Sequence, residues 1–178
     1  RHVGTRFLVK QDGTVVGTIG GGLFEANVID LAVSALENSV SHRARFSFQG
    51  QDALSKDMIC GGDAEVLVEF VDAGDKVRER VFRRVLDVTQ RRESAYLLTH
   101  LAVPVDGQTA EAMSHLVVDA GGSSTGEFPG SEAALGSMPE KRLMKPAQLL
   151  TISGLEHPVF VEWIRPRGTV YIFGAGHV

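Results

Sequence analysis

From Leu23 to Leu36 apolar residues recur at steps of three and four. Phe24, Val28, Ala32, Ala35 and Leu36 share one helix face, while Glu25, Asn27, Asp30 and Glu37 fall largely elsewhere. Asp75 to Arg91 keeps the same period, with Val77, Val81, Val85 and Val88 as the buried stripe and Arg78, Arg83, Arg84, Arg91 and Arg92 as a basic outer side. Elsewhere the period is two. Ala44 to Phe48 alternates, and Ala64 to Val71 sets Val66, Val68 and Phe70 on one side against Glu65, Leu67 and Glu69. Phe7 to Val9 and Val15 to Ile19 flank Asp12-Gly13, a dipeptide suited to the positive φ of a tight turn, and predict a hairpin. Tyr96 to Leu101, His115 to Val118, Leu149 to Ile152, Pro158 to Ile164 and Val170 to Phe173 predict further strands. Ala120 to Glu140 is rich in Gly and Ser with few apolar anchors, which predicts a mobile loop or a binding lid. Strands mixed with two helices predict an α/β fold, a mixed β-sheet with flanking helices.

Composition narrows the class. The chain has 178 residues, 43% hydrophobic and 22% charged, a globular balance. Eighteen Lys and Arg against 22 Asp and Glu give a net charge of −4, which argues against nucleic acid as a partner, since that needs a basic face. No apolar run approaches the ~18 residues of a membrane span, and no signal-peptide layout opens the chain. The expectation is a protein without a membrane partner. A single cysteine, Cys60, cannot form an internal disulfide and fits a reducing cytoplasm. The chain opens at Arg1 without Met and closes within a glycine turn at Val178, so both ends read as cut.

Three segments carry candidate chemistry. Gly20-Gly21-Gly22 lies between a strand and a helix, where missing side chains let a ligand approach backbone and the first helical turn offers unpaired N–H groups with partial positive charge. Glu25 in that first turn either hydrogen-bonds a ring N–H of a heterocycle or is an ordinary first-turn charge, and the turn itself either binds phosphate or carboxylate or is a plain β-to-α connection. Cys60 precedes Gly61-Gly62 at a strand entrance with no following side chain to shield its sulfur. It is either an accessible thiol, able to ligate a soft metal or carry sulfur, or a small core residue. No pattern pairs it with His42, His100, His115 or His157 as a nucleophile. Tyr171 to Val178, YIFGAGHV, resembles the strand and first glycines of a dinucleotide fingerprint.

Taken in order, RHVGTRFLV (Arg1 to Val9), GTIGGGLFE (Gly17 to Glu25), MICGG (Met58 to Gly62) and YIFGAGHV resemble the XdhC/CoxI family, accessory proteins of xanthine dehydrogenase and related molybdenum hydroxylases. The resemblance implies an N-terminal α/β domain over 1–168 and the start of a truncated C-terminal Rossmann-like domain over 169–178. It implies a molybdenum cofactor (molybdopterin) chaperone rather than an enzyme, one that holds the cofactor while a cysteine desulfurase sulfurates it, passes it to the molybdenum hydroxylase apoenzyme, and is commonly a homodimer. By the same resemblance Gly20, Gly21, Gly22 and Glu25 face the pterin or its phosphate, and Cys60, Gly61 and Gly62 the metal end. Leu23 departs from the pattern, standing where many family members have a second Cys. The alternative is an NAD(P)-dependent oxidoreductase whose Rossmann half lies beyond this chain.

Overall fold

The computed structural model describes residues 3–47, 63–111, 113–136 and 146–166. Cys60, Gly61 and Gly62, and the Tyr171 to Val178 run with the second domain it was expected to open, lie outside the described residues. The chain folds as α/β. A hairpin of β1 (Phe7–Val9) and β2 (Val15–Gly17) leads into helix α1 (Gly22–Asn38). Strands β3 (Ser41–Ser47) and β4 (Asp63–Val68), helix α2 (Lys76–Gln90) and strands β5 (Ala95–His100), β6 (Gly107–Thr109), β7 (Ser114–Asp119) and β8 (Ser124–Gly126) follow. Short helix α3 (Ser131–Gly136) and strands β9 (Ala147–Leu150) and β10 (Val159–Ile164) complete it. Beside the hairpin stand a five-stranded sheet, β8-β7-β5-β10-β9, and a three-stranded sheet, β4-β3-β6. Alternation shows which residues face which side but not the sense of pairing; among the described residues every pair is antiparallel, where a mixed sheet was expected.

Both faces of the five-stranded sheet are covered, so its central strands carry apolar residues on consecutive positions. On one face Val81, Val88 and half-buried Val85 of α2 pack against Ala95, Leu97 and Val117. On the other, Leu98, Leu116, Val159 and Val161 meet Ile152, Phe128 and Ala134 of α3. Leu101, Val103 and Met113 join this body to the three-stranded sheet through Leu67. The hairpin turn closes by Gly13 N–H donating to Lys10 O at 2.9 Å, with Gly13 at φ +79°. A Cβ there would meet nothing within 4 Å, so Gly13→Ala should cost only the left-handed backbone penalty, about 1 kcal/mol in urea unfolding.

Three expectations are corrected. The strand predicted over Ala64 to Val71 ends at Val68, because the Phe70 N–H leaves the ladder to donate to Ser41 Oγ at 3.1 Å. The stripe of α2 runs through Arg78, 4% exposed, and not through Val77, which is 52% exposed. The predicted loop or lid after Ala120 is ordered structure as far as the description reaches, Gly136: β8 pairs with β7, Phe128 is buried and α3 caps the sheet.

Asp75 caps α2, its Oδ1 accepting from the N–H groups of Val77 at 3.0 Å and Arg78 at 2.9 Å. The Arg78 N–H, then the Arg78 guanidinium, hold its carboxyl below the usual range. The folded state therefore favours ionised Asp75. Its contribution is complete above about pH 4 and is lost as pH falls further, through the depressed folded value. Asp75→Ala should cost about 1 kcal/mol at pH 7, with the difference from wild type shrinking in acid unfolding below about pH 4.

Candidate functional site

After β2 the chain runs through Thr18 and buried Ile19 into three glycines, of which Gly21 (φ +78°) and Gly22 (φ +70°) sit in left-handed backbone that L side chains rarely adopt. A Cβ on Gly21 would meet open space, so conformation rather than crowding asks for glycine there. No side chain caps α1 at Gly21. Instead Glu25 turns back from the first helical turn, and its Oε2 accepts from Thr18 Oγ1 at 2.5 Å and from the N–H groups of Ile19 at 2.9 Å, Gly20 at 3.2 Å and Gly21 at 3.1 Å.

The main-chain donors of this turn are taken by the chain's own carboxylate. The Thr18 hydroxyl, followed by the Gly21 and Ile19 N–H groups, holds the Glu25 carboxyl below its ordinary range, so it is ionised at neutral pH. A phosphate would meet this negative charge with three main-chain donors already engaged. What the turn offers outward is the second oxygen of Glu25, which has no hydrogen-bond partner among the described residues, held in place by four donors to the first.

The start of α1 is anchored by an edge-to-face contact between Phe24 and Phe46, with ring centroids 5.3 Å apart at 81°. Phe46 is next to the end of β3, where Ser47 pairs with Asp63 of β4. The glycine turn therefore lies at the end of the three-stranded sheet where the chain leaves β3 and re-enters at β4. Gly20, Gly21, Gly22 and Glu25 are brought together. The distance from them to Cys60, Gly61 and Gly62 is not described.

Arg6, considered for a cofactor phosphate, pairs with Glu162 on β10. On α2, Arg84 binds Asp119 at 2.6 Å and Arg83 binds Glu79 at 2.7 Å, so the outer face satisfies much of its own charge. A cavity of about 310 Å³ lined by Leu31, His42, Ala44 and Gln108, and one of about 250 Å³ lined by Ser41, Phe70, Asp72 and Arg78, do not include the glycine turn. No group of three or more His, Cys, Asp or Glu among the described residues could hold a metal ion, and no helix among them is long and apolar enough to cross a membrane.

Sequence reasoning missed a buried polar chain between the two sheets. Thr99 Oγ1 lies 3.1 Å from His115 Nδ1, His115 Nε2 lies 2.8 Å from Glu69 Oε1, and Glu69 Oε1 lies 3.3 Å from Arg78 Nη1. Hydroxyl, imidazole and carboxylate in line resemble a nucleophile relay. Thr99 and His115 are only 4% and 5% exposed, however, and line neither cavity, so the chain is a structural brace. The one local signal for it was a polar run, Thr99-His100, continuing an apolar strand.

Residues 1–47 match the XdhC and CoxI family. A 70-residue stretch, 38% of this chain, is 39% identical to the uncharacterized protein YqeB of Escherichia coli (strain K12), and spans 12% of that protein. The fold is similar to the crystal structure of a xanthine dehydrogenase from Bacillus halodurans, with a TM-score of 0.60 and 20% identity, covering 90% of this chain and 43% of that one. This chain therefore spans less than half the length of either protein. The segment that matches the XdhC and CoxI family is the one that holds the hairpin, the glycine turn and Glu25.

Proposed function

We propose that the chain is an accessory protein for a xanthine dehydrogenase-type molybdenum hydroxylase and acts as a carrier of its molybdenum cofactor, with no turnover of its own. The reading is carried by one observation, the Phe24–Phe46 contact beside the Ser47–Asp63 pair. Cys60 precedes Asp63 by three residues, and three residues of chain reach at most about 11 Å. The sole thiol is thereby tethered to the sheet end beside which the glycine turn lies.

The donor set suits one end of the cofactor and not the other. Glu25, ionised and immobilised, presents an acceptor to the ring N–H groups of a pterin, and Phe24 and Phe46 supply apolar surface beside it. The phosphate does not fit the donors of Ile19, Gly20 and Gly21, which Glu25 occupies; the remaining positive end of α1 is at Gly22 and Leu23. Cys60 would face the metal end as a thiolate, with Gly61 and Gly62 leaving it unshielded. Bound there, the cofactor supplies a thiophilic metal held by a dithiolene. Leu23, 51% exposed at the helix start, adds apolar surface where a sulfur would otherwise stand. Hand-over to the apoenzyme, sulfuration by a cysteine desulfurase, a homodimer and a cytoplasmic setting belong to the same proposal.

The test is uptake of free cofactor. Protein mixed with molybdenum cofactor released from a denatured molybdoenzyme is desalted and oxidised, and pterin fluorescence is read. Wild type should retain cofactor and Cys60→Ala should retain several-fold less. Retention by wild type no greater than by an unrelated protein of similar size would end the proposal.

A further inference from the structure

At the far end of the five-stranded sheet, β5 finishes in His100, a residue 9% exposed. The Phe128 ring stacks on it at 5.4 Å and 10°, and the His157 ring lies against it at 5.7 Å and 56°. Among the described residues neither ring nitrogen of His100 has a hydrogen-bond partner. Its cross-strand neighbours are Val159 on β10 and Ser114 on β7, neither of them charged. The acids beside the two packed segments, Glu127 and Glu156, are exposed and form no ion pair with either imidazole among the described residues.

Phe128 fixes the segment that leads into α3. It is 5% exposed, shares a cluster with Leu98, Ile152 and Val159, and its carbonyl accepts from the Ser131 N–H at 3.0 Å, while the Ala134 N–H donates to Gly130 O at 3.1 Å. We propose that His100 and His157 form an acid-operated latch on residues 127–136, in which protonation of His100 releases Phe128 and α3 from the sheet. A neutral imidazole stacks on the phenyl ring without cost. A charged one is largely withdrawn from water, with no protein acceptor among the described residues and a second imidazole beside it, and the cation–π contact to Phe128 offsets only part of that.

Burial first, and then the charge of His157, holds His100 below the ordinary histidine value of 6.5. The closed segment therefore prefers neutral His100. Closure is complete above about pH 6.5 and weakens as pH falls, by up to about tenfold per pH unit for one linked proton.

Amide exchange by NMR, expressed as protection factors so that intrinsic pH dependence divides out, reads the latch at Ser131 and Ala134. Between about pH 6.5 and 5.5 protection there should fall up to about tenfold while that of α2 stays level. His100→Phe should abolish the fall. His157→Gln, which leaves the stack in place, should shrink it, because the closed state then takes up the His100 proton more readily. An undiminished fall in His100→Phe, an unchanged profile in His157→Gln, or a fall shared equally by α2 would overturn the latch.

Discussion

Replacing Arg78 with methionine should lower the unfolding free energy by about 3–5 kcal/mol in urea, the largest loss expected of any single charge among the described residues. The guanidinium is 4% exposed and ties the cap of α2 to the segments after β4 and before β7: Nη1 donates to Phe70 O at 2.6 Å, Nη2 to Met113 O at 3.5 Å, and the ion pairs reach Glu69 at 3.3 Å and Asp75 at 3.4 Å. Methionine fills much of the volume. It leaves Glu69 in the interior with only His115 beside it, and one buried and one part-buried carbonyl without their donors, a cost of about 1–3 kcal/mol for the buried one. Adding Glu69→Gln should recover part of the loss, because the two residues share one network and their effects do not add. A loss below about 1 kcal/mol would mean that the two sheets are held by apolar contacts alone.

Gly126→Ala should be nearly as damaging, at about 3 kcal/mol or more, and should lower the melting temperature by roughly 10 °C for a chain of this size. Gly126 sits at φ +91°, and a Cβ there would stand 2.2 Å from the His115 carbonyl oxygen and 2.6 Å from Val81 Cγ2. The carbonyl belongs to β7 and cannot retreat without breaking its ladder, and Val81 is a buried residue of α2 held against the sheet. Gly13→Ala is the matched control: similar φ, no clash, and about a third of the cost. Equal losses at the two positions would show that backbone strain alone sets the penalty.

The contrast between α1 and α2 explains what could be read from the chain. Val28, Ala32 and Ala35 are buried as the period of α1 requires, and Phe24 packs on Phe46. In α2 the stripe Val81, Val85, Val88 extends backward to either Val77 or Arg78 by helical geometry, and hydrophobicity favours Val77. The structure takes Arg78, because Phe70 and Glu69, arriving from a different sheet, satisfy a charge there. No local pattern contains that contact. β6, Gly107 to Thr109, and β8, Ser124 to Gly126, have no apolar alternation and exist because a neighbouring strand offers a ladder. For β8 a signal was available in the turn before it, where Asp119 Oδ1 accepts from the Gly121 and Ser123 N–H groups at 2.9 Å. The glycine turn was visible as a strand-to-helix junction, and Glu25 as a carboxylate in its first turn. That the two satisfy each other depends on a reach of four to six residues backward, which composition does not encode.

The proposed site stands or falls on the nearness of Glu25's turn to Cys60. Because Cys60 is the sole cysteine, Leu23→Cys gives a protein with two thiols for spin labels, one at the exposed start of α1 and one in the segment before β4. Pulsed electron resonance on the doubly labelled 178-residue chain should give a distance of about 25 Å or less, as a three-residue tether to Asp63 requires if both ends border one cavity. A distribution centred beyond about 35 Å would place the thiol and the carboxylate on separate surfaces, and no single cofactor could then touch both.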